Sequence, residues 1–268
     1  MIAVAGPARG MAFGAGVGFG LLAAVAACGL AARWLLDADP FAVAGPALAP
    51  PDAAHPFGTD DLGRDVLAQV AHGAWNSLRV GLVAAAISVA LAVLVGGAAG
   101  LRGGAVDHLL MRTTEFAQAL PRFFLVITIV SLFGGQLWLI VLTLGLTAWP
   151  GPARVFRAQV LAAAGRDFVA AARAAGGGDA AILRRHVLPV TAPVLAAQVS
   201  YQAGGAILAE AGLSFLGLGD PTAMSWGTLL GAAQHFVRDA WWMSLFPGAA
   251  VMLTVLACNL IADAFVER

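Results

Sequence analysis

The chain is 268 residues long, 60% hydrophobic and 11% charged, with a mean hydropathy of +0.85, whereas a soluble domain is about 45–50% apolar and about 25% charged. These values describe a polytopic membrane protein and exclude a soluble one built around a single large core. Arginine supplies every basic side chain apart from histidine and the net charge is zero, which excludes a basic nucleic-acid surface and also a phosphate-cradling loop of the usual kind, since that loop needs a lysine after its glycines.

Apolar runs of about 20 residues, enough to cross about 30 Å of hydrocarbon, occur at 11–32, 77–101, 113–133, 137–155, 189–210 and 241–264. They predict an all-α protein of six transmembrane helices: a first helix within 1–36, an external loop at 37–76, a five-helix core at 77–264 and a short tail at 265–268. Cys28 and Cys258 sit inside apolar runs without metal-ligand or CxxC spacing and read as small hydrophobes. The Val-Ala-Ala-Cys ending at Cys28 also looks like a lipoprotein cleavage site, but the apolar run continues past it and further spans follow, so a first span is expected.

Arginines give the orientation, because cytoplasmic loops retain positive charge. With the N-terminus inside, Arg9, Arg102, Arg112, Arg154, Arg157, Arg166, Arg173, Arg184, Arg185 and Arg268 are cytoplasmic and only Arg33, Arg64, Arg79 and Arg238 are external, with Arg122 inside the third span. An N-in, C-in topology follows.

In the first external loop, a proline-rich piece precedes HPFGTDDLGRDVLAQVAHGAW. There Leu62, Val66, Leu67, Val70 and Ala74 recur at helical spacing opposite Asp61, Arg64, Asp65, Gln69 and His72. The pattern predicts an amphipathic helix lying at the outer interface, capped by Thr59 or Asp60. Spans three and four are interrupted at Pro121 and at Pro150 with Pro152. Glu115 and Arg122, seven residues apart, would share a face of span three, and a charge there costs about 3 kcal/mol, so that face should meet a cavity or a partner.

The segment 163–188 is the long polar interruption of the second half. A small-residue helix from about Arg166 to Ala175 is stopped by Gly176, Gly177 and Gly178, and Asp179 is expected to cap a second short helix. A connector at 211–240 should be broken by Gly212, Gly217, Gly219 and Pro221, with Leu213, Phe215, Leu216 and Leu218 folding down on the bundle and Trp226, Trp241 and Trp242 in an interfacial belt. The histidines His55, His72, His108, His186 and His235 form no HExxH or facing pair, so no catalytic site, metal site or cofactor is expected.

Several of these segments resemble one family. GTDDLGRDVL at 58–67, DFVAAARAAGGGDAAILRRHVLP at 167–189, and ILAEAGLSFLGLG with SWG at 207–219 and 225–227 resemble, in order, the second inner-membrane permease of ABC importers of the dipeptide, oligopeptide and nickel group. The resemblance implies a type I importer permease fold in the bacterial inner membrane, a second homologous permease as heterodimer partner, two cytoplasmic ATPase subunits, an external substrate-binding protein, and alternating access without chemistry by this chain. It makes 163–188 the ATPase-coupling segment, with Ala170, Ala171, Ala172, Gly176, Leu188 and Pro189 on the family pattern. Ala170 departs from it, because glutamate is usual there; Arg166, Asp167, Arg173, Arg184 and Arg185, with Asp179, could supply charge instead. It implies an external interface or gate at Gly58, Thr59, Asp60, Gly63, Arg64 and Asp65 and at Leu213, Ser214, Phe215, Gly217, Gly219 and Trp226, with Glu115, Arg122 and Glu210 as pathway candidates. Peptides are the expected substrate and nickel the alternative. An ion-coupled secondary transporter would use intramembrane acids such as Glu115, Glu210 or Asp263.

Overall fold

A computed structural model describes residues 7–34 and 39–266, with side chains from 14 to 29 and from 39 onward. The tail at 267–268 and the residues at 35–38 lie outside the described part, as do the side chains of Arg9 and Arg33. Among the described residues every extended regular element is helical: α1 (Pro7–Trp34), α2 (Val66–Arg102), α3 (Gly104–Ala119), α4 (Arg122–Phe133), α5 (Leu137–Ala148), α6 (Pro150–Ala164), α7 (Asp167–Ala174), α8 (Asp179–Ile182), a π-helical turn at Leu183–Val187, α9 (Leu188–Phe215), α10 (Trp226–Ala233) and α11 (Trp242–Val266). Two isolated antiparallel bridges, Val43 with Arg64 and Thr59 with Asp65, pin the loop before α2.

Two helices, α2 and α11, are long and apolar enough to cross a membrane alone; α3 with α4 and α5 with α6 reach that length only as pairs bent by 74° and 43°. Pro121 and Pro150 stand at these bends, as expected of residues that cannot donate into the helical ladder. The 74° bend corrects one expectation: Glu115 and Arg122 lie on different helices and share no face. Glu115 pairs with exposed Arg112 at 3.1 Å, while the Arg122 guanidinium donates to the Leu144 carbonyl at 3.2 Å near the end of α5.

The expected amphipathic interfacial helix is not a separate element. Helix α2 starts at Val66 and runs unbroken to Arg102, and Val66, Ala68, Gln69, Val70, Ala71 and Ala74 are all buried. The spacing that suggested an interfacial face is instead the face packed on α10 and α11. Its cap is Asp65, whose carboxylate accepts from the Ala68 amide at 3.0 Å, rather than Thr59 or Asp60. Those two residues hold the loop. The Thr59 hydroxyl donates to the Pro46 carbonyl at 2.6 Å and accepts from the Ala49 amide at 2.8 Å. Asp60 accepts from the Leu62 and Arg64 amides and, at 2.6 Å, from Gln69.

Helix α2 is the hub, touching α1, α5, α6 and α9. Lipid is as apolar as leucine, so helices in a membrane gain little from burying apolar surface and associate through close packing and hydrogen bonds. Small residues on α2 allow that approach. A Cβ on Gly96 would collide with the Ala153 carbonyl of α6, one on Gly100 would come within 2.7 Å of Val160, and one on Gly81 within 2.7 Å of Ile207 of α9. Gln202 adds a polar tie, donating from α9 to Ser88 of α2 at 2.9 Å and to the Ala148 carbonyl at 3.0 Å.

Gly100→Leu therefore forces α2 and α6 apart. Overpacking of this kind costs about 1–3 kcal/mol, and the purified transporter should unfold at a lower temperature than wild type in a thermal-shift measurement. An unchanged midpoint would show that the contact does not bear on stability.

Candidate functional site

The polar hairpin between α6 and α9 forms because its two halves end and start for identifiable reasons. Helix α7 stops in a two-bond glycine cap: Gly176 takes φ +82°, its amide donates to the Arg173 carbonyl at 2.9 Å, and the Gly177 amide donates to the Ala172 carbonyl at 3.0 Å. A positive φ suits glycine because no Cβ meets the preceding turn. The expected stop at the glycine triplet is thus present. The expected cap at Asp179 is not, because Gly178 occupies that place without a side-chain bond and the Asp179 carboxylate lies 3.3 Å from Arg102 at the end of α2. Nor is the second helix separate, since α8, the π turn and α9 follow one another without a gap.

Val169 anchors α7. It is fully buried in a cluster with Phe156, Val160, Ile182 and Val187, so the hairpin is packed onto the ends of α2 and α6. On the opposite side, Asp167, Ala170, Ala171 and Ala174 are all exposed; at spacings of three and four residues they make one stripe. Ala172 is half-buried and Arg166 is exposed beside the stripe. Arg173 turns back, donating to the Leu101 carbonyl at 3.0 Å. Arg184 and Arg185 are exposed on the π turn, and Leu188 and Pro189 open α9. The structure therefore brings the predicted set together as a smooth, nearly side-chain-free stripe flanked by arginines.

The predicted external residues form a second group at the far end of α9. Helix α9 continues through Gly212, which does not break it, and ends at Phe215, where Gly217 at φ +80° repeats the two-bond cap found after α7. Thr59, Asp60, Leu213, Ser214 and Trp226 are buried, whereas Phe215 and Gly217 are exposed. Gly58, Gly63, Arg64 and Asp65 belong to the loop locked against α2: Gly58 and Gly63 take positive φ, Arg64 lies over the Phe41 ring, and Asp65 binds His55 at 2.9 Å. Glu210, expected along the pathway, is sealed instead, 1% exposed, accepting from the Ser214 and Ser225 hydroxyls at 2.7 Å each. It ties α9 to the start of α10. Gly219 and Gly227 are packed against Ser214 and Ala211, with no room for a Cβ.

Two groups in this junction escaped the sequence reading. Ser225 caps α10 in a reciprocal arrangement with Thr228, a Ser-x-x-Thr spacing close to the usual capping-box pattern. Asp220 accepts from the Leu137 amide at 2.9 Å, so a connector residue closes the first turn of α5; no local pattern links positions 83 apart.

A helical bundle with a small, smooth hairpin pinned beneath its hub helix and a locked cap at the other end has the build of a polytopic membrane transport subunit. The chain belongs to the family of binding-protein-dependent transport system inner membrane components, whose model matches residues 88–268; it is thus an inner-membrane component of a transport system. A Brucella suis protein named for peptide permease function is 40% identical over 216 residues, covering 80% of this chain and 72% of that protein. The dipeptide transport system permease protein DppC of Bacillus subtilis is 38% identical over 216 residues, covering 80% and 68%. A chain of the MetNI methionine ABC transporter, in an inward-facing crystal form, shares the fold with a TM-score of 0.58 at 18% identity, over 74% of this chain and 96% of that one.

Asp220 gives a pH test of the junction. Burial alone would raise its carboxyl, but hydrogen bonds from the Thr222 hydroxyl and from the Leu137, Thr222 and Ala223 amides outweigh it and hold the group below its ordinary value. The folded pKa is then lower than the unfolded value of about 3.9, so the stabilisation is complete above about pH 4 and is lost as pH falls through the folded value. Asp220→Asn should unfold at a lower temperature than wild type at neutral pH, with the gap closing below about pH 4. A gap independent of pH would contradict this role.

Proposed function

We propose that the chain is one permease subunit of an ATP-driven, binding-protein-dependent importer for di- or oligopeptides. In this reading it has six spans with both termini in the cytoplasm, pairs with a second, related permease, docks two ATPase subunits and receives substrate from an external binding protein. Transport proceeds by alternating access. ATP binding closes the ATPase pair, α7 moves with it, and the spans rock so that the pathway opens outward. The peptide substrate is supported by the names of the Brucella suis and Bacillus subtilis relatives; titration of the cognate binding protein with peptides and with nickel separates peptide from the alternative.

One observation carries the docking part. Helix α7 has one buried anchor, Val169, and an opposite stripe of exposed alanines ending at a glycine turn. Exposed alanine contributes nothing to the fold that a larger residue would spoil. A stripe of it leaves a shape into which another protein can close.

Ala171→Trp should therefore leave the transporter folded and assembled in the membrane while uptake of a labelled peptide falls at least about tenfold, the consequence of only about 1.4 kcal/mol of lost docking free energy. ATP hydrolysis should persist without dependence on loaded binding protein. Normal uptake by this variant, or failure of Ala171→Cys to crosslink to the ATPase, would overturn the docking assignment.

A further inference from the structure

Arg79 projects from the first half of α2. Its side chain is exposed and makes no ion pair with another described residue; the contact it does make is with the face of Trp75, 5.7 Å from the ring centre. A cation on an apolar helix is costly unless it meets a counter-charge or the headgroup layer. Two grooves open on either side of it. They are a groove of about 570 Å³ between α2 and α5, walled by Val83, Val141 and Leu142, and one of about 180 Å³ between α1 and α2, walled by Ala26, Leu78 and Leu82.

Polarity within the larger groove is ordered along the helices. Val80 of α2 stands beside Leu137 of α5, and further along both helices Ser88 and Ala148 meet through Gln202, so α2 and α5 run in the same direction. Arg79 and Asp220 lie at the entrance, and Val83, Val141 and Leu142 lie about one turn deeper. Asp220 accepts from the Leu137 amide and from the amide and hydroxyl of Thr222, and it lines the same groove as Arg79, so that groove carries one negative and one positive side chain.

We propose that a diacyl phospholipid with a primary ammonium headgroup, of the phosphatidylethanolamine type, sits astride α2 at this place. Its phosphate meets the Arg79 guanidinium, its ammonium meets Asp220, and one acyl chain enters each groove. One cation flanked by two apolar grooves matches one headgroup with two chains. An anionic headgroup without the ammonium would set a second negative charge beside Asp220. The site requires only that the chain lies in a membrane, as its family membership establishes, and not the peptide reading.

The test is native mass spectrometry of the whole purified transporter equilibrated with equal amounts of phosphatidylethanolamine and phosphatidylglycerol. Wild type should retain the ethanolamine lipid in preference. Arg79→Ala should reduce that retention about tenfold, as expected for loss of a charge-assisted hydrogen bond, and Val83→Trp, which fills the larger groove, should reduce it with Arg79 intact. Asp220→Asn should keep lipid bound but erase the preference. Undiminished retention in Arg79→Ala, no preference in wild type, or a disulfide from Leu142→Cys to a neighbouring permease, which would make the groove a subunit seam, would each overturn the proposal.

Discussion

The close approach of helices to α2 is the constraint on which the rest of the structure depends. Without a hydrophobic gain between helices in lipid, contact distance decides which neighbours pack. At Gly96 the backbone of α6 lies where a side chain would otherwise be, at Gly100 the side chain of Val160 does, and at Gly81 that of Ile207. These contacts fix α6 and α9 against one rod of 37 residues. The hairpin joins α6 to α9, so its position beneath α2 follows from the packing of those two helices. Its bonds then act at the end of the same rod: Arg173 to the Leu101 carbonyl and Arg102 to Asp179.

That arrangement divides the hairpin mechanically. Its second half is a continuation of α9 through a π turn, so α8 and α9 move as one piece unless the turn itself rearranges. Such turns recur at functional sites because the extra residue loosens the regular ladder. Its first half, α7, is joined to the second by the three glycines and to α2 by Arg173. Displacing α7 would therefore load two routes, one through Ile182 and Val187 into α9 and one through Leu101 into the Gly103 and Gly104 junction between α2 and α3, where both glycines take positive φ. At the other end of α9, Glu210 carries the helix into α10 through Ser225.

What could be read from the sequence was local. The glycine stop after α7, the bends at Pro121 and Pro150, and the small-residue helix between two spans each depend on a few consecutive residues, and each is present. The errors arose where a local signal met a distant partner. Asp179 has the chemistry of a cap, but Arg102 on another helix takes its carboxylate. Gly212 has the propensity of a breaker, yet α9 runs through it because Leu213 is packed in the cluster with Val80 and Val130 and Ser214 is bonded to Glu210. The 62–74 periodicity was real, and its meaning changed because the apolar face is covered by α10 and α11 rather than by the lipid surface. Asp220 was invisible for the same reason, since its partner is an amide on α5.

The departure at Ala170 can be weighed on geometry. Glutamate there would stand on the exposed stripe of α7 and offer a carboxylate to a docking partner. Asp167 stands on the same stripe one turn earlier, and residues three apart on a helix have Cβ atoms about 5–6 Å apart. An acid at 167 thus presents its charge close to where the usual one would be, and it lies in the first turn, where a negative charge also favours the helix. Arg173 is drawn back to the Leu101 carbonyl, and among the described residues Asp167 makes no ion pair, even with its neighbour Arg166. The stripe keeps an acidic end and an alanine middle, and its shape is set by Val169 and the glycine turn, neither of which the substitution touches.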